Sequence, residues 1–138
     1  MVVQIITPVR KKQSLFSDFH KDLTQNPISE DLALKRDEEA VKESLKNLIL
    51  TDKGERLMQP LLGGNIRAML FENNTPATIK FLQEQIKATI EEYEPRAALI
   101  DVTVQSSLDE NTINVTIYFY INNIEQPITL TVFLERTR

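Results

Sequence analysis

The chain has no cysteine, no tryptophan, three glycines and a single histidine, His20. Without cysteine there can be no disulfide, no thiolate nucleophile and no thiolate-held metal, and the redox compartment is unreadable. One histidine excludes a histidine-built metal site, and a serine triad would have to recruit His20 from the N-terminal region. A sugar cleft would lack its largest stacking surface. Gly54, Gly63 and Gly64 do not form a phosphate-cradling loop, and Gly63-Gly64 marks only a turn. No apolar run approaches the ~20 residues of a membrane helix. Met1 to Ile6 is apolar but precedes Arg10, Lys11 and Lys12, whereas a signal peptide begins with its basic part. The net charge of -4 argues against nucleic acid as a partner. No cofactor, metal, nucleic acid or membrane is therefore expected.

What is present describes an ordinary globular protein: 41% apolar and 26% charged residues in 138, enough for one core without staples. Residues 1–36 show no helical period and are broken by Pro8 and Pro27, which predicts an extended N-terminal arm with short strand-like pieces. Ile28, Leu32 and Leu34 are candidates for one strand, and Leu15, Phe16 and Phe19 for pinning the arm onto the body or onto a partner. Arg10, Lys11, Lys12, His20 and Lys21 make the arm basic, either as a solvated segment or for docking on an acidic protein surface.

A single α+β domain is expected over residues 37–138. Asp37 is placed to cap a helix to about Leu50, with Glu38 and Glu39 in its first turn and Val41, Leu45, Leu48 and Ile49 on its buried face. A compact middle follows, with a short helical pattern at Ile66, Met69, Leu70 and Phe71. Thr75-Pro76 opens a long helix whose stripe is Ile79, Leu82, Ile86, Ile90 and Tyr93. The helix stops at Glu94, because a residue before proline is pushed out of the helical region. The period then becomes two. Ile100, Val102 and Val104 form one face, Ile113, Val115, Ile117, Phe119 and Ile121 the next, and Ile128, Leu130, Val132 and Leu134 the third, with turns at Asp109 to Asn111 and Asn122 to Pro127. The fold class is α+β, with helices packed on one face of a three-stranded antiparallel C-terminal meander and an extended N-terminal arm.

Only a glycosidase can be assembled from such residues, since it needs two carboxyl groups: Glu94 with Asp101, Glu55 or Glu72. Twenty acidic residues make some pair available by chance. The simpler reading of Glu94-Pro95-Arg96 is an ion pair, or a pair capping backbone carbonyls at the helix end, that fixes the helix-to-strand joint, either for stability or to orient a contact with another protein. The meander has two edges, and Ile128 to Leu134 carries little charge, with Glu135, Arg136 and Arg138 just beyond. A partner could add a strand there, or the arm could cover an edge.

Three stretches, Thr51-Asp52-Lys53-Gly54-Glu55-Arg56, Leu70-Phe71-Glu72-Asn73-Asn74-Thr75-Pro76 and Tyr93-Glu94-Pro95-Arg96, together resemble the baseplate-wedge sheath-initiator family of contractile-tailed phages, the "gene product twenty-five-like" proteins, to which a type VI secretion wedge subunit is related. The resemblance runs from about Glu38 to the C-terminus. It implies a non-enzymatic part of the virion's tail baseplate, assembled in the host cytoplasm, with the tail sheath protein, other wedge proteins and the tail tube as partners. Its sheet would accept strands from the first sheath ring through the segment bearing Ile128, Leu130, Val132 and Leu134. Glu94, Pro95 and Arg96 would be the assembly motif, with Gly54, Glu55, Phe71, Glu72, Asn73, Thr75 and Pro76 as structural motif residues. The family's "lysozyme-like" tag implies no catalysis that these residues support. A small anti-adaptor protein on the same fold is a third reading, because fold does not fix function.

Overall fold

A computed structural model describes residues 14–73, 75–107, 112–122 and 124–135. The first elements are two short antiparallel strands, β1 (Ser17–Phe19) and β2 (Leu34–Arg36), paired from Ser17↔Arg36 to Phe19↔Leu34. Ile28 does not join them. Its N–H donates to the Asn26 side-chain oxygen at 2.9 Å, and Ile28 is 93% exposed. Asn-Pro turn chemistry wins over the apolar spacing, and Leu32 makes only an isolated bridge to Gln25.

Helix α1 (Glu38–Leu50) buries Val41, Leu45, Leu48 and Ile49 as their spacing requires. Asp37 stands at its N-cap position without capping it. Its Oδ1 instead accepts from the backbone N–H groups of Leu15 at 2.8 Å and Phe16 at 3.2 Å, which holds the start of β1 against the helix. Phe16 thereby packs on the core, whereas Leu15 and Phe19 stay exposed.

The connection to α2 (Ile66–Met69) turns at Gly63, whose φ is +116°; a Cβ there would strike the Thr51 carbonyl. Phe71, expected within this short pattern, lies past the helix and outside the core. Helix α3 (Pro76–Tyr93) starts as its sequence dictates, with Thr75 Oγ1 accepting from Thr78 N–H at 3.2 Å and Pro76 at the first position. Its stripe buries Leu82, Ile86 and Ile90, but Tyr93 leaves the core and donates its hydroxyl to the Leu61 carbonyl at 3.0 Å.

Strands β3 (Ala97–Ser107), β4 (Thr112–Ile121) and β5 (Ile128–Glu135) form an antiparallel sheet in the order β3-β4-β5. The turn expected at Asp109 to Asn111 lies outside the described residues. Ile100 does not face the core with Val102. The pairing register shifts between Leu99 and Asp101, so Ala97 and Leu99 point inward, Ile100 is 47% exposed, and Val102 and Val104 resume the inner face. One extra residue in a bulge inverts the alternation. Along β4 and β5 the expected inner faces hold, with Val115, Ile117 and Phe119 fully buried.

The two edges of this sheet differ. Helix α3 is fastened to β3: the Gln83 side-chain amide donates to the Val102 carbonyl, and Lys87 Nζ lies 2.7 Å from Asp101 Oδ1. β5 pairs with β4 on one side, and no described strand pairs with its other side.

Candidate functional site

The joint between α3 and β3 is built from backbone upward. Glu94 N–H closes the last turn on the Ile90 carbonyl at 2.9 Å, but its own φ and ψ, -126° and 75°, have left the helix, as the following proline demands. Ala97 N–H then returns to the Glu94 carbonyl at 3.2 Å, so Pro95 and Arg96 reverse the chain within one turn and deliver it into β3.

This turn folds the Arg96 side chain back onto Glu94. Arg96 Nε reaches Glu94 Oε1 at 2.6 Å and Nη2 reaches Oε2 at 2.9 Å, a bidentate fork on a carboxylate that is 4% exposed. Ser44 of α1 donates its hydroxyl to the same Oε2. The remaining guanidinium nitrogen, Nη1, meets Asp18 Oδ2 of β1 at 3.1 Å, and the Phe16 ring lies 5.8 Å from the guanidinium carbon. Four elements, α1, α3, β1 and β3, therefore converge on one ion pair.

Its electrostatics follow. Burial pushes the Glu94 carboxyl up, but the Arg96 and Ser44 hydrogen bonds and the Arg96 charge outweigh that and leave it below the ordinary carboxylate value. The Arg96 guanidinium is held more firmly protonated, first by its hydrogen bond to Glu94, against the opposing effect of burial. A glycosidase acid needs the opposite, a carboxyl raised toward neutrality. The partners considered for it are elsewhere: Asp101 pairs with Lys87 on β3, and Glu55 accepts from Asp52 N–H at 3.0 Å in the loop after α1. Glu72 follows α2 in a turn, its N–H donating to the Met69 carbonyl at 3.2 Å. Among the described residues no cluster of three or more histidine, aspartate or glutamate side chains could hold a metal.

The other motif residues close local turns. Gly54, at φ +87°, donates to the Pro60 carbonyl at 2.8 Å, and Asn73 O accepts from Thr75 N–H at 2.8 Å. The Gly54 loop is joined to the end of α3 by the Tyr93–Leu61 hydrogen bond, and a cleft of about 290 Å³ opens beside the joint among Ser44, Asn47, Arg56 and Tyr93. Phe71 is exposed on the surface. The β5 side chains Ile128, Leu130, Val132 and Leu134 belong to the core or pack against it, so the outward features of this strand are its backbone edge and the exposed Thr129, Thr131 and Phe133. Ser44, Asp18 and Phe16 also belong to the joint, although their local sequence does not announce it. The one hint for Ser44 is its place between Ala40 and Leu48 at intervals of four, on the flank of the buried face.

Comparison with known proteins agrees with this architecture. Residues 35–125 match the family described as "Baseplate wedge protein gp25". The baseplate wedge protein gp25 of Enterobacteria phage T4 is 32% identical over 119 residues, 81% of this chain and 87% of that protein. A chain of the anti-feeding prophage baseplate, solved by cryo-electron microscopy, superposes with a TM-score of 0.69 at 31% identity, covering 80% of this chain and 88% of that one. A protein from Geobacter sulfurreducens that carries a tail-lysozyme label shares the fold, with a TM-score of 0.67, 24% identity, and coverage of 73% of this chain and 92% of its own. With the helix-to-strand joint, the three-stranded meander and these matches in agreement, the chain belongs to the gp25 baseplate wedge protein family.

Proposed function

We propose that this protein is a non-enzymatic subunit of the baseplate wedge of a contractile tail, and that it templates the first ring of the tail sheath by accepting a sheath strand along β5. The observation that carries the strand-accepting part is the asymmetry of the sheet: α3 is fastened to β3, while the outer edge of β5 has no described strand partner. Backbone pairing at such an edge builds a continuous ladder suited to bearing force. The subunit works within the virion's tail baseplate, assembled in the host cytoplasm beside other wedge proteins and the tail tube.

In this reading Glu94, Pro95 and Arg96 serve assembly by holding the joint. Glu94 is buried and both of its oxygens are engaged, so it has little to offer a partner directly. What the triplet sets is how β1, α1 and α3 meet the first residues of the sheet.

The lack of native cysteine makes a clean test available. Thr131→Cys on β5 and Gln105→Cys on β3 are each loaded with a short bifunctional crosslinker in tails assembled with sheath. The β5 position is expected to crosslink to the sheath protein and the β3 position is not; equal yields, or crosslinking from β3 alone, would contradict the proposal. Cell-wall turnover by the purified chain that vanished in Glu94→Gln would instead establish an enzyme.

A further inference from the structure

A strand lying along β5 would meet a cavity of about 310 Å³ at the C-terminal corner of that edge, walled by Leu50, Arg67, Phe71, Phe133, Leu134 and Glu135. Consecutive strand side chains point to opposite faces of a sheet. Phe133 and Leu134 nevertheless both wall this cavity and no β4 residue does, so it lies beside β5 at the margin of the core, where Leu50, Leu70 and Leu134 form its floor. Two aromatic rings flank it, Phe71 from the turn after α2 at 64% and Phe133 of β5 at 67% exposure. Exposing two large rings beside one concavity leaves apolar area that a partner side chain can cover.

Charge gives the concavity a direction. Arg67 and Glu135 both line it, so an incoming carboxylate is favoured next to Arg67 and opposed next to Glu135. Backbone pairing alone is blind to sequence, and specificity in strand addition comes from pockets that take alternate side chains.

We propose that this corner is the specificity pocket for the strand that pairs with β5. Its occupant is an extended segment of another polypeptide, with one large apolar side chain entering between Phe71 and Phe133 and an acidic residue two positions away, on the same face, meeting Arg67. The proposal rests on the strand-accepting reading and adds the chemistry of the partner to it.

The test uses the full chain and a fluorescein-labelled ten-residue peptide of alternating threonine and valine, with one central phenylalanine and one glutamate two residues from it. Binding is read by fluorescence anisotropy. Replacing the peptide phenylalanine by alanine, or the protein's Phe71→Ala, is expected to weaken binding at least tenfold. Arg67→Glu weakens the parent peptide similarly, and a peptide with lysine in place of glutamate restores it, which a merely damaged fold would not do. Unchanged affinity in the alanine peptide and in Phe71→Ala, or no binding of the parent peptide, overturns the pocket. Two further peptides, N-methylated at the odd or the even positions, separate this from the underlying reading. Only one set is expected to lose binding, and if both bind like the parent, strand addition itself is wrong. Self-association of the chain in sedimentation that disappears in Phe71→Ala would make the occupant a second copy and overturn the assignment to another polypeptide.

Discussion

Arg96 joins partners 2 and 78 positions away in sequence, and Glu94 takes a hydrogen bond from Ser44, 50 positions away. Removing the guanidinium would leave a buried carboxylate with only a serine to solvate it. Arg96→Ala is therefore expected to lower unfolding free energy by about 3 kcal/mol, the low end of the range for breaking a buried pair because Arg96 is a quarter exposed. Urea denaturation checks this, and Arg96→Lys should recover only part, having lost the planar fork. The pH dependence has a definite sign. Glu94's carboxyl lies below its ordinary 4.5 in the folded protein, so its contribution is fully present above that value and is lost as pH falls through the lowered one. Glu94→Gln should flatten the acid limb of the stability curve in that window; an unchanged limb would show that other carboxylates control it. The pair itself was legible, since a carboxylate and a guanidinium flanking a helix-stopping proline suffice to suggest it. Ser44 and Asp18 were not, because local spacing carries no information about which distant polar residue returns to a joint.

Among the elements, periodicity was most informative where one face is buried and the ladder is regular. Helix α3 as far as Ile90 and strands β4 and β5 follow their patterns, while Ile100 breaks the pattern of β3 because a bulge changes facing without changing composition. Asp37 departs for a related reason: a side chain that suits an N-cap also suits backbone N–H groups brought near by β1. The glycines give a paired prediction. Gly54→Ala meets only the cost of its positive φ, about 1 kcal/mol, since nothing lies near the added methyl group. Gly63→Ala adds a collision with the Thr51 backbone and should cost clearly more, about 3 kcal/mol. Thermal denaturation of the two variants side by side measures the difference. In the core, Phe119→Ala should cost about 3–5 kcal/mol, as Phe119 is fully buried on the central strand.

At the scale of the whole molecule, the joint and the sheet form one device. The helix that ends at Glu94 turns back along β3 and is fastened to it through Gln83 and Lys87, so the same connection that positions the sheet also occupies one of its sides. Among the described residues no strand pairs with the outer side of β5. The sequence pattern showed three strands and therefore two edges, but which edge α3 lies against is set only by the three-dimensional arrangement. Lys87→Ala should matter little to stability in urea denaturation, because the Lys87–Asp101 pair is solvent-exposed. Cryo-electron microscopy of an assembled tail, at a resolution that separates strands, tests the strand-accepting role most directly. A fourth strand contributed by the sheath and running along β5 is the expected result; a bare β5 in the presence of the first sheath ring, or a sheath strand against β3, would contradict it.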